Sequence, residues 1–206
     1  MNTTSGVAGV LLAGGLSRRM GGGDKCLRML AGQTILSRIV AVIRPQVEVL
    51  ILNANGDPRR FSNFKLPVVA DTVKGNVGPL AGVLAGMEWA ESNHPECKWL
   101  ATVPTDAPFL PPDLISQMQQ AILAEGSDMA CAASGGRNHP VCGLWPIRLR
   151  GALREAMIVD EIRKVNRWTG HYSLSVIDFP SKRFDPFFNT NRPEDLAQAE
   201  SFLSRA

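Results

Sequence analysis

The first apolar feature of the chain is Val7-Ala8-Gly9-Val10-Leu11-Leu12-Ala13, a nearly unbroken run that stops at Gly14-Gly15. A strand covered on both faces reads this way, because in a parallel sheet neither face meets water. From Thr34 to Arg44 the rhythm changes: Ile35, Leu36, Ile39, Val40 and Ile43 recur at three- and four-residue steps, predicting a helix with Thr34 as cap and Pro45 beyond its end. Val47–Leu52 predicts a second strand ending at Asn53, Pro67–Ala70 a third ending at Asp71, and Trp99–Val103 a fourth running into Asp106. Between the third and fourth, Pro79–Glu91 predicts a helix with Leu80, Val83, Leu84 and Met87 inward.

The alternation continues. Pro111-Pro112-Asp113 opens a helix whose expected apolar face is Leu114, Ile115, Met118, Ile122 and Leu123. Strands are expected at Asp128–Ala133, Val141–Trp145 and Ser173–Phe179, and helices at Ile147–Ile158, more weakly at Asp160–Trp168, and after Asn191, which is expected to cap the last one. This order predicts an α/β fold, a mostly parallel sheet with helices on both faces. No internal repeat or linker interrupts the pattern, so residues 1–206 are expected to form one domain.

Composition narrows the function classes. With 22 Lys and Arg against 19 Asp and Glu, the formal charge of +3 is too small to suggest the strong basic field that a nucleic-acid backbone requires. Cys26, Cys97, Cys131 and Cys142 form no CxxC pair or zinc-type spacing, so free thiols in a reducing, cytoplasmic compartment are expected. No run is long enough to span a bilayer, so no membrane partner is expected.

Chemistry collects at the strand ends, where ligands of open α/β sheets bind. The first loop reads Leu12-Ala13-Gly14-Gly15-Leu16-Ser17-Arg18-Arg19-Met20-Gly21-Gly22-Gly23-Asp24-Lys25. Its glycines let backbone amides converge on phosphate oxygens, and Arg19 and Lys25 add compensating charge. It is neither a Walker A element nor a dinucleotide fingerprint. Asp106, between Pro104 and Pro108, is a stiffened hard-oxygen ligand suited to Mg²⁺. Asp71 is either a second carboxylate or an anchor for nearby backbone.

Taken together, LAGGLSRRMGGGDK, Asn53 in Asn-Ala-Asn, Asp71 with Gly78-Pro79-Leu80-Ala81-Gly82, Pro-Thr-Asp106-Ala-Pro-Phe, His139-Pro140-Val141 and Asn189-Thr190-Asn191-Arg192-Pro193-Glu194 resemble the molybdenum cofactor guanylyltransferase family over nearly the whole chain. The resemblance implies a Rossmann-like, glycosyltransferase-A-like nucleotidyltransferase architecture. It also implies Mg²⁺-dependent transfer of GMP from GTP to molybdenum-molybdopterin, with pyrophosphate as the other product. Carried over by motif, Leu12, Ala13, Gly14 and Gly15 would line the nucleotide, Lys25 and Arg19 would meet its phosphates, Asn53 and Asp71 would contact base or ribose, and Asp106 would hold the metal. Arg137, His139, Asn189 and Asn191 would serve the acceptor, together with Asn138, Lys164 and Arg167. Implied partners are a molybdenum-insertion protein and molybdoenzyme chaperones.

Two positions depart from the family pattern: Thr105 stands where relatives often carry Cys, and Cys26 where Gly or Pro is common. The rival readings are a molybdopterin cytidylyltransferase, a sugar-phosphate nucleotidyltransferase and a non-catalytic carrier of nucleotide or pterin. Gly15 within LAGG favours guanine, and retention of Lys25 and Asp106 disfavours the carrier. His94 and His171 have no partner evident in sequence and are expected at the surface. The four tryptophans are expected to pack in the core or at its rim.

Overall fold

The structure is a computed structural model that describes residues 6–13, 24–75, 78–181 and 183–204. In chain order its elements are β1 (Val7–Leu12), β2 (Met29–Leu30), β3 (Gln33–Thr34), α1 (Ile35–Ile43), β4 (Val49–Asn53), β5 (Val68–Val69), α2 (Pro79–Asn93), β6 (Trp99–Pro104) and α3 (Leu114–Glu125). They are followed by β7 (Met129–Ser134), β8 (Arg137–Pro146), α4 (Arg150–Ile158), α5 (Val165–Thr169), β9 (Leu174–Asp178) and α6 (Pro193–Ser204).

Seven strands form one sheet in the order β5-β4-β1-β6-β8-β7-β9. β8 alone opposes its neighbours; the β5-β4, β4-β1, β1-β6 and β7-β9 pairs are all parallel. The reversal comes from a tight hairpin, in which Gly135 and Gly136 at φ 53° and 76° supply the left-handed pair that turns β7 into β8. A run predicted to start at Val141 therefore starts at Arg137, and Arg137 and His139 lie on a strand beside the hairpin tip.

Helices cover both faces. α1, α3 and α6 pack on one, through residues such as Ile39, Met118 and Ala199, and α2, α4 and α5 on the other, through Leu84, Met157 and Trp168. α2 is buried without a break from Leu80 to Met87 because its glycines remove the bulk that would hold it off the sheet. A Cβ on Gly86 would sit 3.0 Å from Leu100 and 3.1 Å from Val10.

Three expectations need correction. Asp160–Trp168 is not one helix: Glu161 at φ 51° breaks the chain into the left-handed region, and only α5 is helical. Leu123, expected inward, is 79% exposed on the outer side of α3. His94 does have a partner, since its Nδ1 lies 2.9 Å from Glu96 and its ring packs on Trp89. Trp145 and Trp168 are fully buried, and Trp89 and Trp99 sit at the rim, as expected. All four cysteines are free and buried. Among the described residues no helix is long and apolar enough to cross a membrane.

Candidate active site

The carboxyl ends of β1, β4, β5 and β6 lie along one edge of the sheet, with β1 at the point where the strand order reverses. Chain connections knit this edge together. The Ala13 N–H donates to the Asn53 carbonyl (2.9 Å), and the Thr105 hydroxyl donates to the Leu12 carbonyl (3.1 Å). Asn53, 3% exposed, donates its amide to Val69 O (3.1 Å) and Asp71 Oδ1 (2.9 Å). Asn55 donates to Asp71 Oδ2 (2.8 Å), and the Asp71 N–H returns to Asn55 Oδ1 (3.0 Å). Asp71 thus clamps the ends of β4 and β5 and holds two amides in place.

Space for Asn53 is made by Gly82. A Cβ there would collide with Asn53 Oδ1 and come within 2.6 Å of Leu12 Cδ2. The glycine therefore lets the α2 N-terminal turn lie directly against the ends of β1 and β4.

A second group surrounds Asp106. Lys25 Nζ is 3.2 Å from Asp106 Oδ2 and also hydrogen-bonds Asn191 Oδ1. Both charged side chains are largely enclosed, 16% and 28% exposed, so the pair is screened less than an open surface pair. The Asp106 carbonyl accepts from Thr190 N–H (2.9 Å) and from the Thr190 hydroxyl (3.0 Å), and Thr190 is fully buried. Asp195 Oδ2 accepts from the Asn191 and Arg192 N–H groups, each at 2.8 Å. The capping carboxylate of α6 is therefore Asp195 and not the Asn191 side chain, which is left free to meet Lys25.

A third group is built from the hairpin tip and the segment before α6. Ser134 Oγ lies 2.7 Å from Asp185 Oδ1 and 2.8 Å from His139 Nε2, and the His139 ring stacks on Phe187 with centroids 4.5 Å apart. Burial holds the His139 pKa below the ordinary imidazole value, with Asp185 pulling upward and Arg137 downward. Phe187 and Thr190 belong to one short segment, so this group and the Asp106 group share a wall.

The chain matches the MobA-like NTP transferase domain model over residues 9–174. It is 53% identical over 196 residues to the molybdenum cofactor guanylyltransferase of Rhodopseudomonas palustris (strain BisB5), covering 95% of this chain and 93% of that one. The enzyme of the same name from Bradyrhizobium sp. (strain ORS 278) is 52% identical over 199 residues, 97% and 94% of the two chains. The chain belongs to the molybdenum cofactor guanylyltransferase family. Its fold is similar to that of molybdopterin-guanine dinucleotide biosynthesis protein A from Archaeoglobus fulgidus, with a TM-score of 0.73 at 23% identity over 97% of this chain and 100% of that one. It is accordingly a nucleotidyltransferase.

Of the residues that sequence assigns to the guanylyltransferase site, the structure brings Lys25, Asp106 and Asn191 into contact, and Asn53 with Asp71. Leu12 and Ala13 join these groups through their backbone. Asn189 is half-buried between Phe187 and Thr190. Arg137 is exposed at the hairpin tip, and Lys164 and Arg167 are exposed around α5. Gly14, Gly15 and Arg19 lie outside the described residues.

Sequence reasoning missed Ser134, Asp185, Phe187 and Asp195. Thr190 stood inside a motif that had been singled out, but nothing local marks it as the clamp on Asp106. The two departures from the family pattern prove to be neighbours, with the Thr105 hydroxyl in hydrogen-bonding reach of the Cys26 thiol.

Proposed function

We propose that this guanylyltransferase moves GMP from GTP to molybdenum-molybdopterin, releasing pyrophosphate, by in-line attack of the acceptor's terminal phosphate on the α-phosphorus. The observation that carries the reading is the convergence of Lys25, Asp106 and Asn191 at the carboxyl ends of β1 and β6. In this reading Leu12, Ala13, Gly14 and Gly15 line the nucleotide, Asn53 and Asp71 address its base or ribose, and Arg137, His139, Asn189 and Asn191 meet the acceptor.

Asp106 fits a divalent ion. Its carboxylate is partly open, its backbone is pinned by Thr190, and the group now beside it is a cation, Lys25. A single carboxylate supplemented by phosphate oxygens and water is the donor set Mg²⁺ takes, and we assign Mg²⁺ to Asp106. When bound, that ion supplies charge neutralisation on the triphosphate.

The protein's own contribution is placement. Lys25 moves from Asp106 to the phosphates, exchanging one anionic partner for another, while Asn191 keeps the ammonium from swinging away. Arg19 and the loop amides bear on the oxygens where charge grows during transfer. No covalent enzyme intermediate is required.

We further read residues 1–206 as one domain, acting in the cytoplasm, where free thiols persist. Its substrate would come from a molybdenum-insertion protein and its product pass to molybdoenzyme chaperones. The test is a chromatographic assay with molybdopterin, molybdate and Mg²⁺ and either GTP or CTP. Dinucleotide formed with GTP alone supports the reading. Equal use of CTP removes the base assignment, and no product with either nucleotide removes the activity.

A further inference from the structure

Ser134 has one hydroxyl hydrogen and two polar neighbours. The Asp185 carboxylate at 2.7 Å only accepts, so the hydroxyl donates to it, and the 2.8 Å contact with His139 must run from Nε2–H into a serine lone pair. Asp185 is fixed in turn by the Phe187 N–H at 2.9 Å, and Phe187 stacks under the imidazole. Ring position and tautomer are both set by neighbours, and Nδ1 is left as a bare lone pair. Among the described residues it makes no hydrogen bond.

The place of this lone pair matters. β8 runs beside β6 with Thr102 opposite Gly143, and following both strands to the edge of the sheet takes β8 to His139 and Pro140 and β6 to Thr105 and Asp106. The segment 185–191 spans the two: Asp185 and Phe187 hold His139, Thr190 holds Asp106, and Asn191 holds Lys25. His139 therefore lies at the same edge of the sheet as the groups assigned to the triphosphate, tied to them through one seven-residue segment.

We propose that His139 is the proton acceptor for the phosphate of the incoming substrate, with Ser134 and Asp185 as positioning residues that lock its Nε2–H tautomer. This rests on the reading that the site joins a phosphate monoester to the α-phosphorus of GTP. Such a monoester ionises a second time near pH 6, so in mildly acid solution part of it carries a P–O–H group. In the step, its phosphate oxygen bonds to the α-phosphorus, and the α-phosphorus to bridging-oxygen bond breaks with the electron pair leaving on pyrophosphate. The monoester proton goes to His139 Nδ1, and the imidazolium releases it to water.

The charged groups around the ring suit that role. Burial keeps the imidazole neutral below its ordinary range, Asp185 behind Ser134 favours the imidazolium once formed, and Arg137 opposes it.

The test is the pH dependence of kcat/KM for molybdopterin, with molybdate, Mg²⁺ and saturating GTP under anaerobic conditions, in wild type, His139→Asn and Asp185→Asn. Asparagine offers an amide oxygen near the Nδ1 position but takes up no proton. The monoester dianion falls about fourfold between pH 8 and 5.5 for an ionisation near 6. The ratio of the His139→Asn rate to wild type should fall over the same interval by up to that factor, and Asp185→Asn should move in the same direction. Parallel profiles, with His139→Asn lowered by one factor at every pH, overturn the proton role while leaving guanylyl transfer standing. No dinucleotide from wild type at any pH overturns both.

Discussion

Asp106 is the residue on which most of the site's geometry turns. Its neighbours flank it with prolines, Thr190 takes both lone pairs of its carbonyl, and Lys25 faces its carboxylate. Asp106→Ala removes the carboxylate and leaves the backbone clamp. It should reduce turnover by about 100-fold or more, the scale of losing one preorganised charge-stabilising group, while circular dichroism stays native; near-normal pyrophosphate release would refute the metal role. The Cys26–Thr105 contact offers a second test at this scale. The substitutions Cys26→Gly and Thr105→Cys should cost more singly than together, with a coupling of about 0.5–1 kcal/mol in denaturant melts. Asp106 and Lys25 were readable as chemistry from their own flanking residues. Ser134 and Asp185 were not, because a serine and an aspartate 51 positions apart carry no local mark of their shared hydrogen bond.

Among the elements, α2 and α6 act on the site by different means. α2 lies tight on the sheet through Gly82, and Gly82→Ala would push against Asn53 and Leu12, both parts of the nucleotide edge. An overpacked contact costs about 1–3 kcal/mol, and because Asn53 must shift, the KM for GTP should rise along with the lowered melting temperature. α6 contributes through its first turn, where Asp195 satisfies two backbone N–H groups and frees Asn191 to reach Lys25. Asp195→Ala should cost about 1 kcal/mol as a lost cap and lower activity more than that stability loss implies, since Asn191 would lose its anchor. Periodicity predicted both helices, since an apolar stripe every three or four residues is a property of the segment alone. The cap differs from the one expected at Asn191: Asp195 accepts the Asn191 and Arg192 N–H groups while the Asn191 side chain meets Lys25, a partner 166 positions away that the segment alone does not show.

Across the whole molecule the two faces of the sheet bury all four thiols, and burial pushes each pKa upward, to about 11 for Cys26 and Cys131 and about 12 for Cys97. A thiol with a raised folded pKa stays protonated after its unfolded counterpart, near 9.0, has ionised. Stability is therefore undiminished below pH 9 and lost as pH rises toward 11, by at most about 1.4 kcal/mol per pH unit for each thiol. Denaturant midpoints measured from pH 8 to 11 should fall accordingly, and a Cys131→Ala variant should show a shallower slope. A flat profile would contradict the burial of these thiols. Strand ends, helix stripes and the glycine-rich loop were legible in the sequence because each depends on residues within about one turn or one strand of each other. Which strand ends become neighbours depends on the sheet order, and that follows from how both helical layers bury their apolar stripes at once. The local Gly135-Gly136 turn reverses β8, but its place beside β6, the contacts that hold His139 and the meeting of Lys25 with Asn191, 166 positions apart, were decided only when the two faces packed.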